Sequence, residues 1–191
     1  MLEELDQQLF YFINSRNSEF WDFVMYSISR VLVWVPLYIA IFIALGRKYG
    51  RKTFFILLFV VLTVALADQT SVFIKNSFQR LRPCHAEELQ GMVHLVKGHC
   101  GGRFGFVSSH AANSFSIALL SLLLIKRRWF SISILIWAAV VGYSRIYLGV
   151  HYPGDVICGS LLGASIGWLI YRLYLITDNK FLSKRYEMPQ P

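Results

Sequence analysis

Apolar residues run almost unbroken through four stretches of the chain, residues 54–73, 108–125, 130–147 and 156–176. Each is close to the roughly 20 residues that an α-helix needs to cross the hydrocarbon core of a bilayer. A fifth stretch, 31–45, is short for a span unless residues 20–29 extend it across Arg30. The first thirty residues follow a different pattern. Leu2, Leu5, Leu9, Phe12 and Ile13 recur at helical spacing, with Glu3, Glu4, Asp6 and Arg16 between them. That spacing predicts an amphipathic helix within 1–29, lying at the membrane interface. It lacks the basic start and long apolar run of a signal peptide. The pattern therefore predicts an all-α fold, a polytopic transmembrane bundle of five to six helices with the first one interfacial. Without a repeat or a linker to divide it, 1–191 reads as a single membrane-embedded domain.

Composition supports a membrane protein. Hydrophobic residues make up 55% and charged residues 16%, against about 25% charged in a soluble domain. These figures exclude disorder, collagen, a coiled coil and a disulfide-rich secreted scaffold. The net charge of +8 would suggest nucleic acid in a soluble protein. Here its distribution fits a bilayer, and no nucleic-acid partner is expected. Arg47, Lys48, Arg51 and Lys52 form one basic cluster, and Lys126, Arg127 and Arg128 a second. Arg172, Lys180, Lys184 and Arg185 form a third. Alternating spans bring all three to one side, which the positive-inside rule makes cytoplasmic. The tail 177–191 then lies inside. Segment 1–29, the loop 74–107 and the turn 144–155 lie outside.

Polar chemistry collects on that outer face. All five histidines, His85, His94, His99, His110 and His151, fall in or beside the outer segments, with Lys75, Arg80, Arg82, Lys97, Arg103 and Arg145. The charge rule predicts few cations there, so an anionic substrate is the simplest cause. A loop of this length escaping the rule is the rival explanation.

Spacing is sharper than charge. Lys75 precedes Arg82-Pro83, Val107-Ser108-Ser109-His110 opens a span, and Ser144-Arg145 is followed by His151 and Asp155. In order, these resemble the three-part signature of the type-2 phosphatidic acid phosphatase family, K-x6-R-P, P-S-G-H and S-R-x5-H-x3-D. That superfamily also holds bacterial acid phosphatases, glucose-6-phosphatase and vanadium haloperoxidases. The resemblance runs from about Asp68 to the end of the last span. The first and third motifs match fully. In the second, Val107 replaces the usual Pro and Ser109 the usual Gly, which limits how closely backbone can approach a phosphate.

The resemblance implies a metal-independent, cofactor-free phosphatase. His151 would be the nucleophile and form a phosphohistidine, and Asp155 would take its ring N–H. His110 would protonate the leaving oxygen and later activate water. The residue chemistry is consistent with those roles. Arg82 and Arg145 can clamp phosphate oxygens, and Lys75 adds a point charge. Ser108 and Ser109 stand at the start of a helix, where backbone N–H groups attract anions.

The remaining residues have plainer readings. Asp68 sits in a span seven residues before Lys75, on about the same helix face, which predicts a structural pairing with a nearby base. Arg30 either reaches the interface or binds the N-terminal helix. Cys84 and Cys100 share the outer loop, where they form a disulfide or stay free. Cys158 reads as packing. Gly101, Gly102 and Gly105 suggest an adaptable approach to the second motif. Gly159, Gly163 and Gly167 read as close helix contact. His85, His94 and His99 could bind zinc, but the sequence has no His-x-x-x-His or Cys-x-x-Cys spacing, so no metal site is expected.

The expected substrate is an outer-leaflet lipid carrying a phosphate. A lipid A phosphate comes first, ahead of undecaprenyl diphosphate and of phosphatidylglycerophosphate or phosphatidate. The expected location is a bacterial inner membrane, with the site facing the periplasm or exterior. A non-reacting protein that binds or transports a lipid phosphate is the non-enzyme alternative. The oligomeric state is open.

Overall fold

The computed structural model describes residues 2–179. Two short helices, α1 (Leu2–Asn14) and α2 (Glu19–Ser29), precede five apolar ones: α3 (Val35–Tyr49), α4 (Thr53–Phe78), α5 (Ser109–Ile125), α6 (Arg128–Tyr147) and α7 (Pro153–Thr177). Among the described residues there is no strand, and the fold is the expected all-α bundle. Within Val31–Phe78, Arg128–Tyr147 and Pro153–Thr177, stretches of 18 residues reach mean hydropathies of 2.0, 1.5 and 1.5. Large apolar side chains such as Phe54, Phe73, Leu58 and Leu161 face outward from them. Outward apolar faces on helices this long belong in lipid, and the chain is a multi-pass membrane protein.

The N-terminal segment departs from the single amphipathic helix of the pattern. It breaks at Ser15-Arg16-Asn17-Ser18, four polar residues of low helix propensity apart from the arginine. Ser18 caps α2 by accepting from Trp21 N at 3.4 Å. Asn14 is fully buried at the break. Its amide donates to the carbonyls of His94 (2.9 Å) and Tyr147 (2.8 Å) and accepts from His94 N (2.8 Å), pinning the corner to the loop between α4 and α5 and to α6.

Residues 20–29 do not extend the 31–45 stretch into one helix, because Arg30 is extended (φ −84°, ψ 126°). A single 3-10 turn, Val31–Trp34, follows and leads into α3. The next helix, α4, runs on to Phe78 instead of ending at residue 73, and closes where Gln79 turns left-handed (φ 51°). Nothing between Phe73 and Phe78 breaks a helix, so Lys75 rides on the last turn of α4, not in the loop 74–107.

Helix α5 is the axis of the bundle, packed by α4, α6 and α7. It meets α7 almost backbone to backbone. A Cβ on Gly159 would lie 2.6 Å from the Ser108 carbonyl oxygen, and one on Gly167 the same distance from that of Ser116. Gly163 faces the Ala112 backbone in the same way. Only glycine permits this approach.

One end of the bundle collects the basic helix termini. Lys48 donates to the Leu124 and Ile125 carbonyls at the end of α5 (2.7 and 3.0 Å), and Lys52 pairs with Asp178 (2.9 Å). Cations are favoured at such C-termini. Lys180, Lys184 and Arg185 lie outside the described residues. The opposite end carries the three motifs.

Candidate active site

The loop between α4 and α5 is shaped by a short antiparallel contact between Leu81 and Phe104. Arg82 N donates to Arg103 O (3.2 Å), and Gly105 N to Arg80 O (2.8 Å). A disulfide joins Cys84 to Cys100, with their Cα atoms 6.0 Å apart. In extended backbone, residues two apart share a side. Arg80 and Arg82 therefore both reach toward the start of α7.

That start presents His151 and Asp155, both fully buried. Asp155 lies on the first turn of α7, four residues after His151. Its Oδ2 is 3.4 Å from His151 Nδ1 and accepts from Tyr152 N (3.0 Å). The other ring nitrogen, Nε2, lies 3.0 Å from Arg82 Nη1. A guanidinium can only donate, so Nε2 carries the lone pair and Nδ1 the proton. Burial, then the charges of Arg82, Arg145 and Lys75, hold the His151 pKa well below the usual histidine value. The ring is neutral at pH 7, with its unprotonated nitrogen turned toward the cations.

The other cations come from three directions. Lys75, from α4, donates to Ser109 Oγ (2.5 Å), which shares a hydrogen bond with Ser71 Oγ (2.6 Å). Arg82 also donates through Nε to Gly102 O (2.6 Å) and through Nη1 to Val150 O (3.1 Å). Arg145, on the last turn of α6, donates to Ser29 Oγ, while its buried Nε has no partner among the described residues. It lines a cavity of about 230 Å³ with His110, His99, Tyr26 and Val150. His110 also borders a second cavity, of about 140 Å³, with Ser109, Asp68 and Asn113.

Ser108 caps α5. Its hydroxyl accepts from Ala111 N (3.5 Å), and its own N–H goes to the Asp155 carbonyl (2.9 Å). The next two amides, of Ser109 and His110, have no acceptor among the described residues. Open N–H groups at a helix start, an unpartnered guanidinium N–H and an ammonium group together make a seat for a small anion.

Lys75, Arg82, Ser108, Ser109, His110, Arg145, His151 and Asp155 thus gather at one end of the bundle. Among the described residues Asp68 forms no ion pair with a base, contrary to what its position predicts. It lies 3.5 Å from the amide of Asn113, and Lys75 spends its ammonium on Ser109. The other loop histidines lie apart. His94 bonds Asp22 (2.9 Å), and His85 lies 3.4 Å from Gly101 O. Cys84, His85 and Cys100 bring potential ligand atoms within 4.8 Å of one another. Their sulfurs are bonded to each other, so this group offers no thiolate to a metal.

Two residues at the site carry no motif. Arg80 Nη1 donates to Asp155 Oδ1 (2.9 Å) and Nη2 to Asp6 Oδ2 (2.8 Å). Their only trace in the sequence is an acid on α1 and an arginine two places before Arg82.

Comparison with known proteins agrees with this geometry. The chain is 40% identical to the Lipid A 4'-phosphatase of Bacteroides thetaiotaomicron over 89% of its own length and 77% of that protein's. It is 34% identical to the Lipid A 4'-phosphatase of Porphyromonas gingivalis, over 94% and 77%. The crystal structure of Aquifex aeolicus LpxE superposes with a TM-score of 0.70 at 28% identity, covering 88% of this chain and 95% of that one. Residues 54–177, which span α4 to α7 and every motif residue of the site, match the model of the PAP2 superfamily, and the chain belongs to that family.

Proposed function

We propose that the protein is a membrane lipid phosphatase that removes a phosphate from lipid A in the outer leaflet of a bacterial inner membrane, with its site facing the periplasm. The observation that carries the reading is the orientation of His151, with Nδ1 turned to Asp155 and a lone pair on Nε2 turned to the cations. Similarity to two proteins named as lipid A 4'-phosphatases, over most of the chain, supports the substrate. So does an apolar cavity of about 350 Å³ between α3, α4 and α5. It shares Asn113 and Ile117 with the smaller cavity beside His110, giving an acyl chain a route from the membrane to the headgroup.

The phosphate oxygens are held by Arg82, Arg145, Lys75 and the Ser109 and His110 amides. Arg82 swings from Nε2 to the phosphate, freeing the lone pair. His151 Nε2 attacks phosphorus, the bond from phosphorus to the sugar oxygen breaks, and His110, which has taken the proton of the incoming phosphate monoanion, passes it to that oxygen. Asp155 stabilises the positive ring of the phosphohistidine. His110, now neutral, takes a proton from water. The hydroxide attacks phosphorus, the N–P bond breaks and inorganic phosphate leaves.

The test is phosphate release by detergent-purified protein in EDTA, from lipid A, undecaprenyl diphosphate, phosphatidylglycerophosphate and phosphatidic acid. Lipid A should be cleaved fastest, and His151→Ala should abolish release. Faster cleavage of another lipid moves the substrate. Unchanged release by His151→Ala removes the nucleophile from this account, and binding without release from any lipid makes the protein a carrier.

A further inference from the structure

The site rests on a helix that lies outside the family's motifs. Asp6, on α1, joins two parts of the outer end. Its Oδ1 accepts from Gly154 N, at the start of α7 (2.7 Å), and its Oδ2 from Arg80 (2.8 Å). Gly154 makes the approach feasible, because a Cβ there would lie 2.8 Å from Asp6 Oδ2. Arg80 stacks over the Tyr152 ring, 4.2 Å from its centre, and donates to Asp155 Oδ1. Asp155 offers its other oxygen to His151. Four groups thus run in series, Asp6, Arg80, Asp155 and His151. Side-chain exposure is 14% at Asp6 and 25% at Arg80 but 0% at Asp155, so the ion pairs reach from part-exposed groups to a fully buried carboxylate.

We propose that Asp6 and Arg80 are positioning residues for the reaction: Asp6 anchors Arg80 to the start of α7, and Arg80 fixes the rotamer and charge that Asp155 presents to His151. This deepens the phosphatase reading and rests on it. Arg80 touches neither His151 nor the phosphate seat, so its effect passes through the carboxylate. Asp6 offsets the cation that would otherwise draw on the charge of Asp155. In this arrangement α1 belongs to the catalytic end of the molecule as well as to its surface.

The two variants should shift the reaction in opposite senses, which a merely structural role would not do. Asp6→Asn leaves Arg80 unbalanced against Asp155, so His151 becomes harder to protonate. Arg80→Met takes a cation away from Asp155, so the Asp155–His151 pair binds a proton more readily. The other charged or titratable groups facing His151 are Lys75 on α4, His110 on α5, Arg145 on α6 and Arg82 on the loop. All of these are unchanged in both variants.

The experiment measures phosphate release against pH for the full chain in detergent, using whichever of the four lipids the wild type cleaves fastest. Asp6→Asn should lower kcat by about tenfold with KM within about twofold, the signature of an interaction that matters more in the transition state. Its acid limb should move to lower pH and that of Arg80→Met to higher pH. Asp6→Glu should recover most of the rate. Gly154→Ala, which crowds Asp6 without removing charge, should lower kcat like Asp6→Asn, while Glu19→Gln, a charge-matched change on α2, should behave as wild type. Melting temperatures measured alongside separate misfolding from mispositioning. An active wild type with Asp6→Asn at the same kcat, or with both acid limbs moving the same way, overturns this inference alone. A wild type that releases phosphate from none of the four lipids overturns the phosphatase reading, and this inference with it.

Discussion

Two helix N-termini meet at the motif-bearing end of the bundle, and the chain treats them differently. The start of α7 is filled. Pro153 has no N–H to offer, Gly154 gives its own to Asp6 Oδ1, and Asp155 N donates to Tyr152 O (3.1 Å). The start of α5 is left partly open. Ser108 caps it and binds the Asp155 carbonyl, but the Ser109 and His110 amides have no acceptor among the described residues. Both ends carry the partial positive charge of a helix start. The filled one uses a carboxylate of the chain as its anion, and so serves as an anchor. The open one stands among Lys75, Arg82 and Arg145, and so is suited to an anion from outside.

The comparison can be broken in four ways. The largest expected effect is at the open end, where Arg145→Ala removes a buried guanidinium whose Nε has no partner among the described residues and which shares a cavity with His110. By analogy with oxyanion-hole donors, kcat should fall about 10²–10³-fold, or roughly 3–4 kcal/mol. Steady-state kinetics on lipid A check this, and a change confined to KM would mean that Arg145 only helps substrate to bind.

Next is the contact that holds the two ends together. Gly159→Ala puts a methyl group 2.6 Å from the Ser108 carbonyl oxygen. Overpacking of this kind costs about 1–3 kcal/mol. A thermal melt in detergent should register the loss, and an unshifted melt would show that α5 and α7 separate easily.

A third change acts on a single N–H. Proline is well tolerated at the first position of a helix, so Ser109→Pro should remove one open amide and keep α5 intact. Against Ser109→Ala, which also lacks the hydroxyl, the proline variant should be about tenfold slower, comparable to losing one hydrogen bond to a charged group. Equal rates would mean that the Ser109 amide does not meet the phosphate.

The smallest effect concerns pH and stability. Folding holds the His151 pKa below its unfolded value of about 6.5. As pH falls below that value, the unfolded chain takes up a proton that the folded chain refuses. Stability from this source is therefore fully present above about pH 6.5 and declines toward the folded pKa. Melting temperature should drop on acidification, and His151→Gln should flatten the drop. An equal drop in the variant would assign the slope to other groups.

Features that rest on runs and fixed spacings were legible in the sequence. Apolar runs mark the bundle because a lipid-facing helix must be apolar along its length. The three motifs mark the site because its side chains sit at helix ends and at fixed offsets, such as His151 four residues before Asp155. Glycines four apart on α7 mark its contact with α5. The break at 15–18 was also written in the sequence, as four polar residues, but helical periodicity carries across so short an interruption. What fixes that corner is Asn14, whose partners lie 80 and 133 residues away. The same holds for Asp6 and Arg80, 74 residues apart. A pairing of two single charges across the fold leaves no periodic trace, and an acid on an amphipathic helix looks like any other polar-face residue. Asp68 misleads in the opposite way, since its helical register with Lys75 suggests a pair that Ser109 intercepts.

The account turns on His151 becoming phosphorylated, and that can be observed directly. Protein mixed with lipid A carrying radiolabelled phosphate, in EDTA, would be quenched in alkali within the first turnover and mapped by mass spectrometry. The account predicts a label on His151 that alkali preserves and acid removes, and that is absent in His151→Ala. Phosphate release with no labelled protein, or a label carried by another residue, would contradict it.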